Sequence, residues 1–318
     1  MLKLKNSDLM ATINFLESKD LKWINISRPG KREIDYLKKS FNFREEDLKD
    51  CLPPLQRPKF QERPEYLFMI LLFPVYSHKT KEIKPSEVDL FIGKNFLITV
   101  HSNELLPLID LFKKCGKDKR CQEKIMTGNP GILLYELLNG LLDFCLRMLV
   151  HISNDLEKIK ENVLNPHRKE TIEEILKIKT NIVSFRKAMQ GHQRVISQFL
   201  PSAQNLFSTF KLNIYFQKLK NSLGEIEELL NNFKETIDAF EEAHSSIISF
   251  RINEVMKALN IFAVIVFPLT LFAAIFGMNT MGGMPFLGNP YGFWIVTGVM
   301  LLTTFVILLY FKTKKWMD

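Results

Sequence analysis

The sequence predicts an α+β domain of α/β/α sandwich character, followed by a long stalk helix and two C-terminal membrane helices. Three observations carry that expectation. Short apolar and alternating runs cluster between Leu21 and His101, while the stretch after Asn129-Pro130 has the texture of long helices. The residues Leu219, Leu223, Ile226, Leu230, Phe233, Ile237, Phe240, His244 and Ile247 step by 4, 3, 4, 3 without a break. Ala258 to Phe311 is 54 residues long and contains no Asp, Glu, Lys, Arg or His.

In the first third, Leu21–Ile26 alternates before the turn Arg28-Pro29-Gly30 and reads as a strand. Tyr66–Phe73 is a short apolar run that fits a buried strand. Val88–Ile92 and Asn95–His101 flank Gly93-Lys94, the turn of a hairpin. Ser102-Asn103-Glu104 then offers a cap for a helix over Leu105–Lys114.

Two long helices follow. One runs from about Gly131 to Val163, and the next from about Lys169 to Phe199, stopping before Pro201. They read as an antiparallel pair with its tip at residues 164–168. The charge alternation Glu157-Lys158-Ile159-Lys160-Glu161 reads as a solvated helix face. From Asn205 to Phe276 the only proline is Pro268, so one helix is expected to run from the stalk into the first span. At about 1.5 Å per residue it would exceed roughly 100 Å. One protomer is too small to cover that length, which points to oligomerisation. His244 within the seam reads as a packed interface residue rather than a metal ligand.

The uncharged stretch is too long for one crossing and suits two, Ala258–Phe276 and Phe293–Phe311. Each spans roughly 28 Å of helix, against a hydrocarbon core of about 30 Å. Arg251 and Lys257 precede the first span, Lys312, Lys314 and Lys315 follow the second, and Thr280–Tyr291 between them is uncharged. The positive-inside rule then places both termini in the cytoplasm of a plasma or inner membrane. Trp294 and Trp316 suit the interfaces. The first residues lack the apolar run of a signal peptide. A net charge of +8 raises the question of nucleic acid, but the basic residues are interleaved with Glu and Asp, and no Arg-rich aromatic module is present. Cys51, Cys115, Cys121 and Cys145 form no CxxC; Cys115 and Cys121 are near enough in sequence to pair, but a cytoplasmic setting favours free thiols. No phosphate-binding Gly-Lys-Ser/Thr loop occurs, which argues against an ATP-driven pump, and no catalytic constellation is read. The expected segments are an α/β domain over 1–128, the helix pair over 129–204, a stalk over 205–257, the first span over 258–276, an outer loop over 277–291, the second span over 292–311, and a basic tail over 312–318.

A two-helix hairpin encloses no pore alone; several copies around an axis do. A 3-4 spacing up the first span picks Asn253, Met256, Asn260, Ala263, Phe267, Thr270, Ala274 and Gly277, smaller and more polar than the opposite Ile265, Leu269, Phe272 and Phe276. Small residues on a membrane helix also serve close packing; the polar members point to a lumen. Gly277-Met278-Asn279 would lie at the outer mouth. A ring of Asn oxygens and Gly carbonyls is a hard, neutral surface suited to Mg²⁺, which is held through its waters. The same tripeptide also suits a plain helix end.

Phe276-Gly277-Met278-Asn279 resembles the YGMN signature of the CorA family of divalent-cation transporters, with Phe for Tyr. Asn253–Lys257, Phe267–Thr270, Met284-Pro285, the tail Phe311–Trp316 and the stretch Val88–His101 are similar to other parts of that family. The resemblance implies a homopentameric channel with a funnel-shaped cytoplasmic domain, hydrated Mg²⁺ captured at Asn279, and gating by intracellular divalent cations. It implies pore positions Asn253, Met256, Leu259, Phe267 and Thr270, choosing Leu259 where spacing chose Asn260. Two departures stand out. Phe286 occupies a place after Met-Pro that is often Glu, and Lys218 occupies a stalk position where relatives carry an Asp that helps hold the regulatory ion. Lys cannot ligate Mg²⁺, so Glu87 and Asp89 are the remaining acidic candidates, with Asp89 of a neighbouring chain as an ionic partner for Lys218. Co²⁺, Ni²⁺ or Zn²⁺ transport on the same fold is the alternative cargo. A membrane-tethered coiled-coil scaffold is the alternative class.

Overall fold

A computed structural model describes residues 12–18, 20–163, 170–207, 211–278, 284–286, 289–314 and 316. Asn279, the last residue of the expected signature, therefore lies outside the described residues, as does the expected helix-pair tip. The chain divides into two units, one ending at Glu241 and the other beginning at Glu242.

The first unit is built on six strands: β1 (Ile13–Ser18), β2 (Leu21–Ser27), β3 (Lys59–Glu62), β4 (Leu67–Ser77), β5 (Glu82–Ile92) and β6 (Phe96–His101). Their order is β1-β2-β6-β5-β4-β3, forming one sheet. β2 and β6 pair in parallel, Lys22 opposite Phe96 through Ser27 opposite His101, and every other neighbouring pair is antiparallel. The longest hairpin joins β4 to β5, from Leu67 opposite Ile92 to Ser77 opposite Glu82.

Helices α1 (Lys31–Ser40) and α2 (Glu45–Asp50) cover one face of the sheet. Helices α3 (Leu106–Lys117), α4 (Lys119–Ile125), α5 (Pro130–Val163), α6 (Glu170–Met189), α7 (His192–Phe207) and the start of α8 (Lys211–Phe276) build the other layer. The pleat sorts side chains between them. Met69, Leu71, Phe73, Val88, Leu90 and Ile92 join the larger core, while Phe68, Ile70, Phe91, Ile98 and Val100 join the smaller one with Leu37, Phe43 and Leu48. The expected α/β/α layering holds. Because both faces are covered, β2 is buried at Trp23, Ile24, Asn25 and Ile26 alike, so its sequence alternation does not mark a wet face.

Local readings hold in part. The Gly93-Lys94 hairpin is present, closed by the Gly93 N–H donating to the Phe96 carbonyl at 3.0 Å. The Ser102–Glu104 cap is not: α3 starts at Leu106 with Pro107 in its first turn and no side-chain cap, and the Ser102 hydroxyl donates instead to Glu104 at 3.0 Å. The second long helix is broken where one helix was expected. Gly191 has φ of +95°, a value that L side chains rarely adopt, and the chain restarts there as α7. Pro201 lies inside α7 at an exposed position, where it removes one N–H from the helix ladder. Asn205 to Phe207 belong to α7, and the stalk helix is described only from Lys211.

The heptad seam packs lengthwise against other long helices, as its spacing implies. Leu219, Leu223, Ile226, Leu230 and Ile237 are buried within this chain's own larger core, with Phe233 and Phe240 packed against it. Tyr215 stacks on Tyr135 of α5 at 4.6 Å, and Phe216 lies 5.0 Å from Phe199 of α7. Lys179 of α6 reaches Asp238 at 2.8 Å and Glu241 at 2.5 Å. As far as Phe240 the helices that fill the seam are the chain's own.

Candidate functional site

The second unit holds the remainder of α8 and a last helix, α9 (Gly292–Thr313). Both helices are long and apolar enough to cross a membrane. On α8, Asn253, Met256, Leu259, Asn260, Phe267, Thr270 and Ala274 are exposed, whereas Ala263, Ile265, Leu269, Phe272 and Phe276 are partly covered. On α9, Val296, Met300, Thr304 and Ile307 form a partly covered stripe that ends at buried Phe311. Each span has one partly covered and one open face, as expected when two helices cover one another. The open side of α8 is wide and includes Phe262 and Leu271, surface enough for a lumen and for neighbouring helices or lipid.

Pro268 interrupts the hydrogen-bond ladder of this span, since it has no N–H to offer the Val264 carbonyl. Two residues on, the Thr270 hydroxyl turns inward and donates to the Val266 carbonyl at 2.9 Å. Thr270 therefore presents its methyl group and an oxygen lone pair outward, with its proton engaged.

The span ends at Gly277 and Met278, both exposed. The Gly277 N–H donates to Ala273 O at 2.8 Å and that of Met278 to Ile275 O at 3.3 Å. A Cβ at Gly277 would sit 2.9 Å from the Ala273 carbonyl oxygen, so any larger residue would push the last turn open. The capping role read for this tripeptide is thus seen for its first two residues. The connection between the two spans leads into α9 through a turn that was not singled out from the sequence. The Asn289 side chain accepts from the Tyr291 N–H at 2.9 Å, and its carbonyl accepts from the Gly292 N–H at 2.9 Å, so Asn289 sets the start of α9. The signal lay in Gly-Asn-Pro-Tyr-Gly, a turn-forming composition. Phe286, at the position noted as lacking an acid, is exposed with φ of +73°.

The regulatory candidates lie in the first unit. Glu87 and Asp89 alternate along β5 with Val88 and Leu90, so they point to the α1/α2 side of the sheet, away from the layer that contains α8. They line a cavity of about 310 Å³ with Arg28, Cys51, Pro53, His101 and others. Burial lifts the Glu87 carboxyl above its ordinary range and the Asp89 carboxyl well above it, with the neighbouring Glu87 charge adding to Asp89. Glu87 accepts from the Gln56 N–H, while Asp89 Oδ1 has no hydrogen-bond partner. Asp89 is only 3% exposed. It is not the surface carboxylate that a neighbour's Lys218 would need. Lys218 itself is exposed, beside Asn213, Gln217 and Asn221. Among the described residues no group of three or more His, Cys, Asp or Glu is placed to hold a metal ion.

Comparison with known proteins fits this architecture. Residues 18–314 match the family described as CorA-like Mg2+ transporter protein. The chain is 28% identical over 315 residues to the cobalt/magnesium transport protein CorA of Thermotoga maritima, covering 98% of this chain and 88% of that protein. The complete structure of the CorA magnesium transporter from Methanocaldococcus jannaschii is similar with a TM-score of 0.82 at 23% identity, covering 95% of this chain and 93% of that one. The full-length CmaX protein is similar with a TM-score of 0.71 at 19% identity, over 92% and 88% of the two chains; these last two likenesses concern the fold. A mixed-sheet domain, a long helix, two apolar C-terminal helices and a family match over nearly the whole length lead to one conclusion: the chain belongs to the CorA-like Mg2+ transporter family.

Proposed function

We propose that this protein conducts Mg²⁺ across a membrane as a homopentamer, with α8 of each chain lining the pore. The observation that carries this reading is the form of α8: it runs from the sheet-bearing unit into an uncharged span that ends at Gly277-Met278, with Asn253 and Met256 exposed just before the span and Leu259, Phe267 and Thr270 exposed within it. Both termini would lie in the cytoplasm of an inner membrane, given Lys312 and Lys314 beyond the second span.

Mg²⁺ gives up its waters reluctantly. A ring of Asn279 amide oxygens outside the span would accept hydrogen bonds from those waters without stripping them. Being neutral, the ring would hold the ion weakly enough to release it. Below it, Thr270 offers an oxygen. Phe267, Leu259 and Met256 would then form apolar rings that resist wetting and close the path, and Asn253 would offer amide groups at the inner end. No step needs a covalent change, so the protein is read as a channel and not as an enzyme.

Gating by internal divalent cations is expected from the resemblance, with Glu87 and Asp89 as acidic candidates. Their burial means that an ion must either displace the segment around Pro53 or enter through the cavity they line. The experiment that tests the reading is Mg²⁺ flux into liposomes that hold the purified protein and a Mg²⁺-sensitive dye. Mg²⁺-dependent influx is expected, and its absence in correctly inserted protein overturns the proposal. Running Co²⁺, Ni²⁺ and Zn²⁺ in parallel decides the cargo, since the Thermotoga maritima relative is named for both cobalt and magnesium.

A further inference from the structure

Two thiols meet at the elbow between α3 and α4. Cys115, in the last turns of α3, is 1% exposed, and Cys121 on α4 is partly exposed. Their sulfurs are 3.5 Å apart. That is only about 1.5 Å more than the roughly 2.05 Å of a disulfide. The other two cysteines, Cys51 and Cys145, are buried, and neither has a second thiol against it among the described contacts. The juxtaposition is therefore specific to this elbow.

The elbow is also set up to be reached. From Lys113 to Lys124 there are six basic residues and two acidic ones, Asp118 and Glu123. An anionic oxidant would gather there. The two thiols differ in readiness. Burial, with Cys121 beside it, pushes the Cys115 thiol up to about 12, so it stays protonated until a reaction next to it draws it in. Cys121 is the one a reagent in solution meets first.

We propose that Cys115 and Cys121 form a reversible redox modification site, closed to an intramolecular disulfide by a low-molecular-weight disulfide of the glutathione class. In the first exchange the Cys121 thiolate attacks one sulfur of the oxidant, expelling one thiolate and leaving a mixed disulfide. Cys115 then loses its proton to solvent and attacks Cys121 Sγ, expelling the second thiolate. The protein dithiol is oxidised by two electrons, and one disulfide is reduced to two thiols. A reducing compartment keeps the pair open, so the bond reports a rise in oxidant rather than a structural staple.

The site touches the sheet. Gln122, next to Cys121, donates its side-chain N–H to the Glu17 carbonyl of edge strand β1 at 2.9 Å. Drawing Cys121 towards Cys115 therefore pulls on the contact that ties α4 to β1.

The test uses the full-length protein in detergent micelles. Reduced protein is exposed to oxidised glutathione, free thiols are trapped with N-ethylmaleimide, and the peptides are weighed. The expected result is a Cys115–Cys121 linkage with a mass loss of about 2 Da, the two hydrogens given up. It is reversed by dithiothreitol, with Cys51 and Cys145 left as thiols. In Cys121→Ser, whose side chain is partly exposed and tolerates the change, no linkage forms. A parent protein that keeps Cys115 and Cys121 both as free thiols overturns the proposal. So does one in which glutathione remains attached to Cys121 beside a free Cys115, since the sulfurs would then fail to close. Transport is not part of the readout, so the result is independent of the proposed function.

Discussion

The Arg63 guanidinium grips both oxygens of Asp47, at 2.9 and 2.7 Å, where Asp47 is 1% exposed at the start of α2. The Tyr66 hydroxyl adds a third bond at 2.7 Å. Burial alone would raise the Asp47 carboxyl. The Arg63 and Tyr66 hydrogen bonds and the Arg63 charge outweigh it and hold the group below its usual range. Removing one partner leaves a buried charge, so Arg63→Ala is expected to destabilise the sheet-bearing unit by about 3–5 kcal/mol. Thermal unfolding of the purified chain measures it. The folded pKa is depressed, so the pair's contribution is complete above the unfolded carboxylate value near 4 and is lost as pH falls below it. A variant within about 0.5 kcal/mol of the parent would place Asp47 in contact with water instead.

Phe267 is 71% exposed, whereas Leu269, two residues on, is partly covered. If Phe267 closes the throat, Phe267→Ala widens it and raises Mg²⁺ leak about tenfold, the equivalent of roughly 1.4 kcal/mol of barrier. Leu269→Ala leaves leak near the parent value. Liposome flux at zero imposed potential checks this, and equal leak in the two variants rejects the assigned pore face.

Asn279→Ala is expected to cut Mg²⁺ uptake by about tenfold or more, since each hydrogen bond to a bound charge is worth roughly 1.5–3 kcal/mol. Assembly should persist, as the amide would contact ion and water rather than core. Size-exclusion profiles and uptake are measured together. Normal uptake by an intact oligomer removes Asn279 from ion capture.

Burial pushes His101 and His192 down to about 4. Both are neutral in the fold: His101 donates from Nε2 to Asn25 Oδ1 and accepts the Asn103 N–H on Nδ1, and His192 donates from Nδ1 to the Met189 carbonyl. The unfolded chain takes up those protons near pH 6.5, so stability is complete above that value and declines as pH falls towards 4. Each residue contributes up to about 3 kcal/mol to that slope. The raised carboxyls of Glu87 and Asp89 act with the opposite sign. Unfolding midpoints from pH 7 to 5, compared between parent and His101→Gln, isolate the histidine term. An unchanged slope in the variant would show that His101 titrates as in water.

Features that depend on neighbours along the chain were legible in the residues alone. An uncharged run of 54 residues must leave water, and its lysine flanks set its ends. The short apolar run Tyr66–Phe73, and the runs Val88–Ile92 and Asn95–His101 on either side of Gly93-Lys94, fit strands by length and composition. The 4-3 stepping from Leu219 to Ile247 had to be one helix face. What those faces meet depends on contacts between segments far apart in the chain. The stalk seam was legible, but its partners were not: Tyr135, Phe199 and Lys179 come from other helices of the chain and pack along it. Asp89 read as an available acid, yet the pleat turns it under the Cys51–Pro53 segment, where desolvation governs its charge. Cys115 and Cys121, six positions apart, are near enough in sequence to pair but form no motif; a bend between two helices brings their sulfurs to 3.5 Å. Period and composition fix which surfaces are apolar, whereas burial of a charge or the meeting of two thiols depends on chain reversals that no local pattern encodes.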